Sequence, residues 1–130
     1  MTTTVFPAFR TTDAAATIEL LVTLGFTERL LVRNEQDPAL VEHAEFALGD
    51  NGGIMFGSVR NDGSALDAVG GSSIYVVVDT EREVDRLYQE IVDLGHAIVR
   101  PVATQDYGGR EFDFRDHDGN SWGVGSYRGA

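Results

Sequence analysis

Apolar and polar positions alternate along this chain in two rhythms, and the order of the rhythms occurs twice. Val5-Phe6-Pro7-Ala8-Phe9-Arg10-Thr11-Thr12 has strand character, with Pro7 favouring an edge or an irregular start. Asp13 is placed to cap a helix in which Ala14, Ala15 and Ala16 favour helical backbone and Ile18, Leu21 and Val22 recur at helical spacing, with Gly25 ending it. Strands are expected over 26–32, 41–48 and 54–59, the last two joined by Gly49-Asp50-Asn51-Gly52-Gly53. The stretch 60–71 is polar and glycine-rich and reads as a linker.

After the linker the order restarts. Ser73-Ile74-Tyr75-Val76-Val77-Val78 is rich in β-branched residues. Thr80 and Glu83 have the spacing of a capping box, Val84, Leu87 and Ile91 mark a buried helix face, and Gly95 closes it. Strands are expected over 97–103, 110–115 and 121–127, the last two joined by Asp116-His117-Asp118-Gly119-Asn120. Asp13 recurs as Asp79, Leu24-Gly25 as Leu94-Gly95 and Asp50 as Asp118, at an almost constant separation. Such an offset indicates duplication: an α+β chain of two strand–helix–strand–strand–strand modules, about 4–59 and 72–127, within one domain spanning 1–130.

Charge and composition narrow the function. The chain has 130 residues, 21 acidic against 10 basic, and a formal net charge of −11. Phosphate backbones and anionic membranes would be repelled, so neither nucleic acid nor membrane is expected as a partner. There is no cysteine, which excludes disulfides, thiolate metal sites and a cysteine nucleophile. No apolar run approaches the roughly 20 residues of a membrane span, and Met1-Thr2-Thr3-Thr4 carries no basic n-region; a cytoplasmic location is expected.

The stretch Tyr107-Gly108-Gly109-Arg110-Glu111-Phe112-Asp113-Phe114-Arg115-Asp116-His117-Asp118-Gly119-Asn120-Ser121-Trp122, together with Ile74-Tyr75-Val76-Val77-Val78-Asp79 leading into a helix, resembles the vicinal oxygen chelate superfamily. That superfamily holds glyoxalase I, extradiol dioxygenases, fosfomycin-resistance enzymes and bleomycin-resistance proteins. His117 stands where its Asp-Pro-x-Gly-Asn turn usually has proline. The resemblance implies paired βαβββ modules, a curled mixed sheet around a cleft, and a homodimer. In the metalloenzymes of the superfamily a ligand lies about seven residues before each helix-capping aspartate and another in the fourth strand of each module. Counted onto this chain, those positions are Phe6, Ser72, Met55 and Gly123. Two have no side-chain lone pair, one a neutral hydroxyl and one a soft thioether, so no metal and no cofactor are expected.

Strand alternation, phased on those positions, gives the cleft lining. Phe6, Met55, Ile74 and Tyr107 are expected to supply apolar contact, and His43, Glu45, Asp113 and Arg110 polar anchors. Each has a plainer reading. Phe6 and Met55 plug an emptied cleft, His43 with Glu45 is a solvated pair, Asp113 pairs with Arg115 or Arg10, Arg110 holds the turn, and Trp122 is core. The expected function is metal-independent binding of a neutral or cationic, aromatic or partly apolar small molecule, as in antibiotic sequestration. The rivals are a superfamily enzyme (lyase, isomerase or dioxygenase) with an atypical or absent metal site, with Glu45 or Asp113 as general base where no metal is used, and an accessory protein of natural-product biosynthesis.

Overall fold

The computed structural model describes residues 3–130. They form two compact units that divide between Val69 and Gly70. The first contains β1 (Ala8–Thr11), α1 (Ala14–Thr23), β2 (Thr27–Arg33), β3 (Val41–Leu48) and β4 (Gly52–Ser58). The second contains β5 (Ser73–Val77), α2 (Glu81–Asp93), β6 (Ala97–Thr104), β7 (Arg110–Arg115) and β8 (Ser121–Gly125). Each unit is a four-stranded mixed sheet with one helix: order β1-β4-β3-β2 in the first and β5-β8-β7-β6 in the second. The first strand of each unit pairs in parallel with the last, and the other pairings are antiparallel.

The same local chemistry builds both helices. Asp13 accepts from the Ala16 amide and Thr80 from the Glu83 amide, satisfying one orphan donor at each N-terminus. At the other end Phe26 N donates to Leu21 O and Gly25 N to Val22 O, and His96 N donates to Ile91 O and Gly95 N to Val92 O. This paired pattern requires a left-handed residue after the cap, which Gly25 (φ +102°) and Gly95 (φ +88°) supply without steric cost. Glu83 does not complete a reciprocal box; its carboxylate is taken by Arg86.

One helix face differs from expectation. Thr17, Leu20, Leu21 and Leu24 are buried, whereas Ile18 is half-buried and Val22 is 57% exposed. Thr17 belongs to the inward stripe because its hydroxyl donates to Thr11 Oγ1 at 2.8 Å, so a polar residue occupies an apolar-phase position. In α2 the expected Val84, Leu87 and Ile91 are buried.

Behind each helix, one sheet face carries the core. In the first unit it is Phe9, Ala44, Phe46, Ile54 and Phe56, with Phe56 between Phe9 (6.1 Å) and Phe46 (5.8 Å). In the second it is Phe112, Phe114, Trp122 and Val124; Phe112 meets Tyr88 of α2 edge-on at 5.1 Å, and Phe114 stacks on Trp122 at 6.1 Å. Trp122 is 1% exposed and is core. Its Nε1 donates to Asp116 Oδ2 at 2.9 Å, and Asp116 also accepts from the amides of Asp118 and Asn120 and from Asn120 Nδ2. The turn and the largest core side chain thus share one carboxylate.

The stretch 60–71 is more than a linker. Ala65–Asp67 forms a single 3₁₀ turn capped by Ser64, and Arg10 of β1 holds both Asp62 and Asp67 at 2.7 Å.

Asp116→Ala strips acceptors from the Trp122 indole, the Asn120 side chain and two amides at once. It is expected to lower the unfolding free energy by about 2–4 kcal/mol, read by urea denaturation with far-ultraviolet circular dichroism. A loss below about 1 kcal/mol would contradict the role given to that carboxylate.

Candidate functional site

The sheet face opposite each helix carries the chemistry, and pleating decides which residues reach it. In the first unit the register puts Ala8, Met55 and Glu45 side by side across β1, β4 and β3, flanked by Arg10, Gly57 and His43. A hollow of about 210 Å³ lies there, lined by Ala8, Arg10, His43, Met55, Gly57, Arg60 and Leu66 among others. His43 Nε2 and Glu45 Oε2 are 2.8 Å apart, and both side chains are partly exposed. Arg10 is taken up by Asp62 and Asp67, and its guanidinium holds the Asp62 carboxyl at about 2, below the usual carboxylate range. Phe6 lies on the same face: a side chain at Gly53 would place its Cβ 2.7 Å from Phe6 Cε1, so the ring rests on the glycine.

In the second unit the opposite face carries Ser73, Tyr75 and Val77 of β5, Ser121, Gly123 and Gly125 of β8, and Glu111, Asp113 and Arg115 of β7. A hollow of about 310 Å³ is lined by Ser73, Tyr75, Val99, Asp113, Arg115, Ser121 and Gly123 together with parts of Ile74, Phe114 and Trp122. Tyr75 runs along β8. A Cβ at Gly123 would sit 2.9 Å from Tyr75 Cδ2, and one at Gly125 would sit 2.1 Å from the phenol oxygen. Tyr75 Oη donates to Glu111 Oε2 at 2.7 Å. Glu111 Oε1 accepts from Tyr107 Oη and from Arg100 Nη2 (3.1 Å), and Arg100 Nε reaches Asp113. Glu111 is 3% exposed. Burial pushes its carboxyl upward, but the two phenols and the guanidinium outweigh that and hold it below the usual range. The Tyr75 phenol is pushed up, by burial first and by the Glu111 carboxylate next.

The structure brings Phe6, Met55, His43 and Glu45 onto one face of the first unit, and Tyr107 and Asp113 onto one face of the second. It corrects two expectations. Ile74 is half-buried in register with Trp122, on the side of the sheet that α2 covers, and only borders the hollow, whereas Tyr75 takes the opposite face. The phase slipped by one residue because α2 is capped by Thr80 and not by Asp79. Counting seven back from the true cap reaches Ser73, as counting seven back from Asp13 reaches Phe6. Arg110 shares the phase of Phe112 and Phe114, and its Nε meets Asp85 of α2 at 2.7 Å. Asp113 pairs with Arg100, a partner the sequence reading did not name.

A divalent metal does not fit this donor set. At the four positions stand Phe6, Ser73, Met55 and Gly123, with the Tyr75 ring lying against Gly123. Among the described residues no three His, Asp or Glu side chains converge as a metal site would need. Sequence reasoning does not find Tyr75 and Arg100, nor the anchoring role of Glu111. Gly123 and Gly125, two apart on one strand, were the available signal, since glycines in a strand interior mark something lying close on the backbone.

Comparison with known proteins places this geometry. Residues 4–124 match the family model of the Glyoxalase/Bleomycin resistance protein/Dioxygenase superfamily. No protein of curated function matches the sequence. Among solved structures, a glyoxalase-related enzyme from Fulvimarina pelagi is similar with a TM-score of 0.70 and 22% identity, covering 91% of this chain and 83% of its own. TioX from Micromonospora sp. ML1 has a TM-score of 0.68 and 22% identity, covering 97% of each chain. The fosfomycin resistance protein FosX from Mesorhizobium loti has 0.65 and 18%, covering 95% and 90%. At these identities the likeness is one of fold. No helix among the described residues is long and apolar enough to cross a membrane.

Two outcomes follow from the geometry. Gly123→Ala forces Tyr75 off its seat and is expected to cost about 1–2 kcal/mol in urea denaturation, most of it relieved in the Tyr75→Ala background; full additivity of the two changes would contradict the contact. The Asp62 carboxyl, followed by carbon NMR, is expected to titrate near pH 2 and to return toward the usual 3.8 in Arg10→Gln. Because its folded value is depressed, the stabilisation from this pair is full above about pH 4 and is lost as the pH falls toward 2. An unchanged midpoint in Arg10→Gln would sink the assignment.

Proposed function

Because the chain belongs to the Glyoxalase/Bleomycin resistance protein/Dioxygenase superfamily, we propose that it binds an aromatic or partly apolar small molecule, neutral or cationic, without a metal and returns it chemically unchanged. This is the chemistry of sequestering an antibiotic or similar natural product. One observation carries the reading: the positions where a metalloenzyme of this fold would hold its ion are Phe6, Ser73, Met55 and Gly123, and an aromatic ring lies over Gly53 in one unit and over Gly123 in the other.

What remains on those faces suits an organic guest. Hollows of about 210 and 310 Å³ are walled by Met55, Leu66 and Ala8 in one unit and by Tyr75 and Val99 in the other, with a few charged groups at the edges. Dispersion and stacking supply affinity in such a site, and the polar groups fix orientation. The net charge of −11 attracts cations and repels anions at long range.

An enzyme acting by general base would need a carboxylate whose pKa is raised toward neutrality. Glu111, the buried candidate, is held in the opposite direction by its three donors. Asp113 is engaged by Arg100, and Glu45 lies beside His43. Glu111 and Asp113, the carboxylates of the second unit's face, are thus both engaged by Arg100.

A thermal-unfolding screen of the intact chain against aromatic natural products tests this. A true ligand at a hundredfold excess over its Kd is expected to add about 2.7 kcal/mol to stability. Mass spectrometry should then recover that ligand unaltered. Conversion of the ligand, or stoichiometric zinc, nickel, manganese or iron in protein purified without chelator, would overturn the proposal.

A further inference from the structure

We propose that Tyr75 is the ligand-stacking residue of the second unit, with Glu111 as its positioning residue, and that the hollow beside them takes a planar, electron-poor aromatic ring system. This deepens the reading above and rests on it.

The seat of Tyr75 is built at a cost. Glycine inside a strand weakens it, yet β8 carries Gly123 and Gly125 two residues apart, both on the face where the ring lies. A methyl group at either position would meet the ring or its hydroxyl, at 2.9 Å and 2.1 Å. The strand is cleared for this one side chain.

The ring is also held. Its hydroxyl donates to Glu111 Oε2, and the other oxygen of Glu111 is occupied by Tyr107 and Arg100. All these donors are side chains, so the carboxylate serves the face that carries the hollow and not the strand ladder. Glu111 is 3% exposed and does not line the hollow, so its effect reaches a ligand through Tyr75. An aromatic wall fixed before binding loses little conformational freedom when a ligand arrives.

The ring nevertheless remains 43% exposed and forms part of the 310 Å³ hollow. Trp122, the other candidate for stacking, is enclosed against Phe114 with its N–H used by Asp116. A phenol that donates to a carboxylate is electron-rich, and such a ring prefers electron-poor partners. The charges around it are Glu111 and Asp113 against Arg100 and Arg115, which balance. Ring electronics, more than ligand charge, then set the preference of this hollow.

The experiment titrates the intact chain with N-methylacridinium by fluorescence and repeats the titration in competition with tetrapropylammonium, a cation with no ring. Wild type should bind the acridinium, and tetrapropylammonium should not displace it. Tyr75→Leu should lose about tenfold in affinity. Tyr75→Phe and Glu111→Gln should each lose about threefold, and the double variant no more than either alone, because Glu111 acts through the Tyr75 hydroxyl. Unfolding midpoints are measured for every variant; if Tyr75→Leu does not fold, the Tyr75→Phe and Glu111→Gln pair decides. Acridinium binding that survives Tyr75→Leu, that adds independently across the double variant, or that yields to tetrapropylammonium would overturn the inference while leaving the binding function standing. Failure of wild type to bind N-methylacridinium would overturn this inference alone, whereas the absence of any stabilising ligand in the natural-product screen would remove the proposed function and this inference with it.

Discussion

Two aromatic rings seated on glycines shape the chemistry of this protein. A strand position with no side chain leaves a groove about one ring deep, and Phe6 fills it at Gly53 while Tyr75 fills it along Gly123 and Gly125. Those seats lie on the very faces where a chelating member of the fold would present ligands. A carboxylate or imidazole at position 123 and a Tyr75 ring against that position are mutually exclusive. Sterics as much as donor identity thus keep a chelating side chain from position 123.

Everything else in each unit serves to hold that face still. Capping by Asp13 and Thr80 and the paired terminal bonds at Gly25 and Gly95 fix where each helix begins and ends, and hence which sheet face it covers. In the second unit Asp116 ties the β7–β8 turn to Trp122, so the strand that carries Gly123 and Gly125 is anchored from its other face. Glu111 then gathers Tyr75, Tyr107 and Arg100 on the near side. The two faces of β7 and β8 divide the labour: aromatic core toward the helix, polar network and hollow away from it.

Much of this was legible in the residues. The duplicated order, Val41–Leu48 and Arg110–Arg115 with their ends, the Asp13 cap and the Val84-Leu87-Ile91 face follow from periodicity and capping chemistry alone. Gly52 and Gly53, which open β4, carry no strand signal, and the hydroxyl bond that draws Thr17 inward is tertiary. The site was harder to read. Phasing β5 from Asp79 put Ile74 in the cleft, whereas Thr80 is the cap and Tyr75 faces out. Arg110 follows a glycine turn as an anchor would, but it shares the strand phase of Phe112 and meets Asp85 of α2. Arg100 could not be paired with Glu111 and Asp113 from spacing, because a register shift between Ile98 and Arg100 intervenes.

The most direct test of the account is a nuclear Overhauser measurement on isotopically labelled protein between the Tyr75 ring protons and the α-protons of Gly123 and Gly125. Strong cross-peaks to both glycines are expected. Their absence, with Tyr75 turned away from β8, would contradict the claim that a ring occupies this face.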